Sequence, residues 1–412
     1  MRFLILGLNY LPEPVSIGPY TADLAEYLQQ RGHQVYMITG FPMNPGWRVW
    51  DGYRGKLLMR EVINGVRVLR TYLYVPSQPR RLLNRVFYDT SFSLSSLLGG
   101  LIVGSADLIV TISPPLQLGL TGWLLGWVKR APFFFHIQDL VPDAAVATGM
   151  LQKDGRALRL AQAIERFVYQ RAHGIGVICE GFARNLTAKG VASEKVVLLL
   201  NYIDLQYLAP LERNNNFRQE HGIKSDHFLV MYSGSIALKQ GLHTFVETAA
   251  ELHDDEDIVF YLVGEGPYLQ ELKSKAADSR LTNLYFLPLQ PRESLPIQLS
   301  AADVLVITQK RAVTDVVFPG KLLYYMASGR PILAAVSPDS ETGRFVTSHQ
   351  VGVVVPPEDP RALAQAIRYL QQNPHEADRL GCNGRRVAED KFDRRTVLKQ
   401  FAEHLETLAR SA

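Results

Sequence analysis

Phe228-Leu229-Val230-Met231-Tyr232-Ser233 runs without a break into Gly234-Ser235-Ile236-Ala237-Leu238-Lys239-Gln240-Gly241, and residues 242–253 follow with helical spacing. A short apolar run, a loop of small residues and a helix-period segment make one strand-loop-helix unit, and its repetition is the pattern of a doubly wound α/β domain. Downstream, strands are expected at 258–263, 284–287, 304–307, 331–335 and 351–355, with helices at 268–277, 292–300, 321–327 and 361–371. Upstream, apolar runs place strands at 3–8, 34–39, 66–71, 108–112, 133–137, 175–178 and 196–199, and Asn64-Gly65 turns between two short runs. Helices are expected at 20–30, ended by Gly32, and at 157–171 and 182–189.

Between the two series, Asn201, Pro210 and Asn214-Asn215-Asn216 interrupt all periodicity. The expected organisation is an N-terminal Rossmann-like domain over 1–200, a linker over 201–216, a second Rossmann-like domain over 217–390, and a C-terminal helix within 391–412 packing back toward the first domain. In open α/β sheets, ligands bind outside the carboxyl ends of the strands, at a cleft if two such domains face each other. The loops after strands are therefore where chemistry is sought.

Composition narrows the partners. The 412 residues are 47% hydrophobic and 20% charged, which excludes a disordered or collagen-like chain. Cys179 and Cys382 are the only cysteines, too few for a disulfide framework, so a reducing, cytoplasmic setting is expected. Met1-Arg2 leads straight into a short apolar run, so no export signal is expected. The uncharged stretches 90–106 and 108–128 read as soluble elements, the first for its Ser and Gly content and the second for Pro114-Pro115. Residues 1–200 hold 21 Lys and Arg against 13 Asp and Glu, a surplus of +8, while the whole chain carries +4. A modest positive field suits anionic lipid or a phosphorylated carrier, and nucleic acid is set aside because the Arg form no stripe with interleaved aromatics.

Four loops can carry chemistry. Gly18, after a proline-rich loop at a helix start, offers a seat for a phosphate or sugar hydroxyl; the alternative is a loop whose glycine serves turn geometry. Gly234, Ser235 and Gln240 let a backbone approach an oxygen-rich ligand, and Lys239 supplies a point charge for a diphosphate; otherwise Lys239 is a solvated loop residue. The third stretch carries Gln309-Lys310-Arg311, Asp315 and Gly320-Lys321-Leu322, where basic side chains and the first amides of a helix converge on phosphates, unless it is a basic surface loop. His136 and Asp139 end a strand of the first half and suit a sugar hydroxyl or a proton, although a lone His is often structural. The other nine histidines have no acidic neighbours at metal-ligand spacing, so no metal is expected.

Together these stretches resemble the retaining nucleotide-sugar glycosyltransferases of the GT-B fold, family 4, over nearly the whole chain. The phrase Leu24-Ala25 to Leu28 and Arg31-Gly32-His33-Gln34-Val35 resembles the family's opening, and Pro319-Gly320-Lys321 to Tyr325-Met326-Ala327-Ser328-Gly329-Arg330-Pro331-Ile332 its donor-site helix. Within the family, Tyr232-Ser233-Gly234, Lys239-Gln240-Gly241, His136-Ile137-Gln138-Asp139 and Gln309-Lys310-Arg311 with Asp315 look closest to bacterial fucosyl- and N-acetylfucosaminyl-transferases of colanic acid and O-antigen assembly.

The resemblance implies a hexosyl-type transferase without a cofactor, using a nucleoside-diphosphate sugar as donor and a glycan or polyprenyl-diphosphate-linked acceptor in cell-surface polysaccharide synthesis. Gly234, Lys239 and Gly320–Leu322 would surround the diphosphate, with Gly264, Gly266, Leu287 and Gln290 bordering the nucleobase. Gly18, His136 and Asp139 would face the acceptor. Lys239 is the expected leaving-group stabiliser. Ser235 stands where the family has Arg, and Tyr324 where it has Glu; Lys310 and Arg311 are candidates for the missing charge. Arg80, Arg81 and Arg85 ahead of Phe87, Phe92, Leu94, Leu97 and Leu98 suggest a peripheral contact with the inner face of the cytoplasmic membrane, the alternative being an ordinary core helix. A nucleotide-sugar 2-epimerase and a non-catalytic sugar-binding or scaffold protein are the competing functions.

Overall fold

In chain order the elements are β1 (Arg2–Gly7), α1 (Gly18–Gln30), β2 (Gln34–Gly40), β3 (Leu58–Ile63), β4 (Val66–Thr71), α2 (Leu82–Ile102), β5 (Leu108–Ser113), α3 (Leu118–Lys129), β6 (Phe133–Ile137), α4 (Val141–Ala147), α5 (Arg156–Arg171), β7 (Gly174–Val177), α6 (Glu180–Ala188) and β8 (Val196–Leu198). The second series is α7 (Asn216–Glu220), β9 (Phe228–Ser233), α8 (His243–Glu251), β10 (Ile258–Val263), α9 (Leu269–Asp278), β11 (Leu284–Leu287), α10 (Leu295–Ala301), β12 (Val304–Thr308), α11 (Lys321–Ala327), β13 (Ile332–Ala335), α12 (Glu341–Ser348), β14 (Gly352–Val355), α13 (Pro360–Gln372), α14 (Pro374–Lys391) and α15 (Arg394–Arg410). This computed structural model describes all residues except 14–16, 45, 79–80, 148–149, 154, 312–319 and 412. Arg80 and Asp315, named above, lie outside the described residues.

The chain divides into two compact units, Met1–Asn201 with Val397–Ala412, and Tyr202–Thr396. The first unit holds an eight-stranded sheet ordered β3-β4-β2-β1-β5-β6-β7-β8, parallel except for β3, which pairs antiparallel to β4. The second holds a six-stranded sheet ordered β11-β10-β9-β12-β13-β14, parallel throughout. Parallel strands covered on both faces must be apolar along their length, and β5, β6, β10 and β12 are buried at every residue.

The segment expected to be a spacer is docked instead. Leu211 N donates to Ser300 Oγ at 3.1 Å, Asn215 Nδ2 to Ile297 O at 2.9 Å, and Arg213 and Arg218 both pair with Asp303. Lack of periodicity there reflects irregular backbone satisfied by side chains, not freedom from the domain. The return crossing is tied in the same way, because Ile203 N donates to Phe392 O at 2.9 Å and Arg394 N to Ile203 O at 3.1 Å. Two long helices, α2 and α14, were not separated out by periodicity; α14 is rich in charge, and it packs closely enough that a Cβ on Gly381 would stand 2.3 Å from Gly329 O.

The last helix belongs to the first unit from Val397 onward. Phe401 lies against Phe134 and His136, with ring centroids 6.2 and 4.9 Å apart, and Glu406 receives Arg31 Nε at 2.7 Å and His33 Nε2 at 2.8 Å. Hydrogen bonds from Arg31 hold the Glu406 carboxyl down to about 2. A depressed carboxyl stabilises the fold above its unfolded value, near 4.5, and loses that contribution as pH falls through 4.5 toward 2. Glu406→Gln should therefore lower urea-measured stability by about 2 kcal/mol at pH 7, and the difference from wild type should shrink as pH drops below 4.5.

Candidate functional site

Because the second sheet is parallel, the loops after β9, β10, β11 and β12 emerge at one edge. The first two are laid directly on each other. Gly234 N donates to Val263 O at 2.9 Å, Ile236 N to Glu265 O at 2.8 Å, and Gly264 N to Leu287 O at 3.0 Å. A Cβ on Gly264 would stand 1.9 Å from Gly234 O, and one on Gly266 2.0 Å from Ile236 O. Both also have positive φ, +152° and +157°, so side-chain volume and backbone conformation each require glycine. Gln290 is half-buried in the loop after β11, where its Nε2 donates to Pro288 O at 2.9 Å.

Lys321 opens α11 and brings its ammonium beneath this pair of loops. Its Nζ sits 3.8 Å from the centroid of the Tyr232 ring and donates to Tyr232 Oη, and a Cβ on Gly234 would be 3.5 Å from that nitrogen. Tyr232 Oη in turn donates to the Ser235 carbonyl at 2.7 Å. Burial of the ammonium, reinforced by the like charge of Lys239, pulls Lys321 down to about 7. Removal from water raises the Tyr232 phenol well above its ordinary range, so it remains a neutral hydroxyl.

Behind the loop, Ser233 N donates to Tyr325 Oη at 2.9 Å, Tyr325 Oη donates back to Ser233 O at 3.1 Å, and Gln298 Nε2 donates to Ser233 Oγ at 2.8 Å. The end of β9 is thereby fixed by a side chain on the same helix that carries Lys321. Sequence reasoning missed Tyr232, Tyr325 and Gln298 as functional parts. The spacing of Lys321 and Tyr325, one helical turn apart, was the available signal.

Lys239 is exposed on a single 3-10 turn, and its carbonyl accepts Lys310 N at 3.1 Å; Gly241 packs on the Gln309-Lys310 backbone, 3.2 Å from a built Cβ. Gln240 contributes its carbonyl to Thr308 Oγ1. The loops carrying Lys239 and Lys310 are thus adjoined through their backbones. Arg311 is exposed, with its guanidinium 3.3 Å from Pro357 O and 4.0 Å from Glu358 Oε2. Leu322 is buried beneath α11 and Gly320 is exposed at its start. Tyr324 is half-buried beside Arg292, which stacks 5.3 Å from the centroid of the Tyr207 ring.

In the first unit His136 does not open to a substrate. It is 3% exposed in the middle layer, its Nε2 lies 2.9 Å from Gln138 Nε2, and Gln138 forms a reciprocal amide pair with Asn201. Burial pushes the imidazole down to about 4, so it stays neutral. This corrects the expectation of a catalytic His136: β6 is covered on both faces, and Phe401 lies over the imidazole with ring centroids 4.9 Å apart. Asp139, just past the strand end, is exposed. Gly18 lies where a Cβ would be 3.1 Å from Glu13 O, so it permits close approach of the loop after β1. A cavity of about 390 Å³ lined by Glu165, Tyr169, Lys189 and Lys195 lies at the opposite, amino-terminal edge of that sheet, where α6 ends and β8 begins. Among the described residues no group of three or more His, Cys, Asp and Glu is arranged to hold a metal ion.

Residues 16–201 match the glycosyl transferase 4-like domain, and residues 213–387 match the glycosyl transferases group 1 family. WcaI of Escherichia coli K12, a glycosyl transferase assigned to colanic acid biosynthesis, is 32% identical over 97% of this chain and 98% of its own length. This chain is a family 4 glycosyltransferase of the GT-B fold. The glycosyltransferase shares that fold with sucrose-phosphate synthase from Thermosynechococcus elongatus, at TM-score 0.76, 19% identity and full coverage of both chains. HepE of Anabaena in complex with UDP matches at TM-score 0.73 and 17% identity, covering 99% of this chain and 100% of that one.

The paired glycine loops of the transferase should tolerate no side chain. Gly266→Ala should cost at least about 2 kcal/mol in denaturant unfolding, whereas Ser235→Ala, at an exposed position of the partner loop, should stay within about 0.5 kcal/mol of wild type.

Proposed function

We propose that this glycosyltransferase moves a sugar from a nucleoside-diphosphate sugar to a glycan or polyprenyl-diphosphate-linked acceptor, with retention at the anomeric carbon, in the synthesis of a cell-surface polysaccharide. The observation that carries the donor assignment is the Lys321 ammonium, half-buried against Tyr232 and beside the open backbone of Gly234. A cation placed at such cost is matched by a ligand of opposite charge, and a leaving diphosphate provides it. The complex of HepE with UDP and the assignment of WcaI to colanic acid support the donor class and the product class. WcaI is a transferase in name as well as in sequence, which removes the reason to prefer a 2-epimerase.

In the reaction proposed, the bond from the anomeric carbon to the diphosphate oxygen breaks and the acceptor hydroxyl oxygen bonds to the same face. The hydroxyl proton passes to the departing diphosphate. Lys321 stabilises the developing negative charge, with Lys239 and Lys310 at the outer side and the loops at Gly264, Gly266, Leu287 and Gln290 bordering the nucleobase. Asp139 and Gly18, past the carboxyl ends of β6 and β1, position the acceptor. The donor is drawn from the cytoplasm, and a lipid-linked acceptor places the reaction at the inner membrane face.

Burial lowers Lys321 to about 7, and a bound diphosphate must raise that value. Binding therefore takes up a proton above pH 7, and nucleoside-diphosphate affinity should fall as pH rises, up to tenfold per unit. Calorimetry in buffers of different ionisation enthalpy reads this uptake. Lys321→Met should abolish it and lower kcat/KM at least a hundredfold, about 2.7 kcal/mol, with partial recovery in Lys321→Arg. Proton-neutral binding together with turnover within twofold of wild type in Lys321→Met would refute the donor assignment.

A further inference from the structure

We propose that Glu13 and Arg70 are positioning residues for the acceptor, two buried charged groups that hold the loops after β1 and β2 in the shape the acceptor meets. The proposal rests on the reading that Gly18 and Asp139 face the acceptor. Glu13 is 2% exposed, and its carboxylate is spent on neighbouring loop groups. Its Oε1 accepts Met43 N at 2.5 Å and Asn44 N at 2.7 Å, while Oε2 accepts Asn9 Nδ2 at 2.9 Å. Arg70, on β4, is fully buried and serves the same two loops from the sheet. Its Nη1 donates to Gly40 O at 3.0 Å, where β2 ends, and its Nη2 to Leu11 O, beyond β1. Its Nε pairs with Glu61, and its guanidinium carbon stands 5.0 Å from the centroid of the Tyr53 ring.

Buried charges can often be replaced by well-packed apolar side chains without loss of stability, so the sheet alone does not account for these two. What they fix is four main-chain groups, Leu11 O, Gly40 O, Met43 N and Asn44 N, at the carboxyl ends of β1 and β2. The second loop is held firmly enough to keep Trp47 at φ +50°, a left-handed conformation that a bulky residue retains only where its surroundings over-determine it. Trp47 packs there on Tyr88, with ring centroids 5.3 Å apart, and the Arg85 guanidinium carbon lies 5.8 Å from its ring centroid. The first loop folds onto the start of α1, since a Cβ on Gly18 would stand 3.1 Å from Glu13 O and 3.5 Å from Tyr10 N. Displacing Glu13 therefore displaces the backbone beside Gly18. Both of its carboxylate oxygens already accept hydrogen bonds, so Glu13 acts through these loops and not on the substrate.

Kinetics with a short-chain prenyl-diphosphate glycan as acceptor test the assignment. Glu13→Ala and Arg70→Met should each raise the acceptor KM at least about tenfold, while affinity for UDP or GDP, whichever the wild type binds, stays within about twofold. Amide exchange should quicken at Met43 and Asn44 in Glu13→Ala and stay unchanged in β9, β10 and β12. Glu13→Gln should bring the acceptor KM back to within about threefold of wild type, because its amide oxygen can accept both loop amides and its NH2 can meet Asn9 with the Asn9 amide turned over. A Gln variant as impaired as the Ala variant overturns the proposal, since the carboxylate would then act in the chemistry itself. Loss of acceptor and nucleotide binding together also overturns it, marking general destabilisation. Asp139→Asn separates the two readings. A raised acceptor KM in Asp139→Asn, with none in the Glu13 and Arg70 variants, overturns the positioning role alone, whereas an unchanged KM in all three sinks the acceptor-side reading with it.

Discussion

An ammonium group held over an aromatic ring and away from bulk water sets the terms for the second unit. Desolvating a cation is costly, and among the described residues Lys321 has a cation–π contact and a phenol hydrogen bond in return. The arrangement persists because its surroundings are over-determined. Tyr325, one turn along the same helix, grips both backbone groups of Ser233, so the helix that carries the charge also fixes the strand end that the charge approaches. The loop pairs at Gly234 and Gly264 then have nowhere else to go.

The first unit solves a different problem. Its sheet is mostly parallel and needs cover on both faces, and the final helix supplies part of it by packing Phe401 on Phe134 and His136. Glu406 secures the arrangement through two bases from the segment after α1. Helix α2 covers the same sheet with one side and leaves a row of large apolar side chains on the other. Such a row is unusual on a water-facing surface.

Most strands were legible because fully buried parallel strands are short, apolar and bounded by turn residues. Phe228–Ser233, Ile258–Val263 and Leu284–Leu287 agree with the sequence reading to the residue. Helix α14 was not resolved from its neighbour, since its charged pattern hides the glycines, Gly381 and Gly384, by which it packs. The loops after β9 and β12 were marked in the sequence by their glycines and lysines. Which lysine is withdrawn from water was not, because Lys239 and Lys321 are equally plausible in a linear string.

By itself the sequence determined the alternation of elements, the break near Asn201 and the residues able to meet an anion, since these follow from local periodicity, turn chemistry and charge. Tertiary structure decided which side chains share an environment. It buried His136 and left Asp139 exposed two residues on from Ile137, turned Arg311 onto Glu358, and set Lys321 against Tyr232 across 89 positions of chain. Desolvation depends on neighbours brought together by strand order, and strand order is a property of packing that no window of sequence contains.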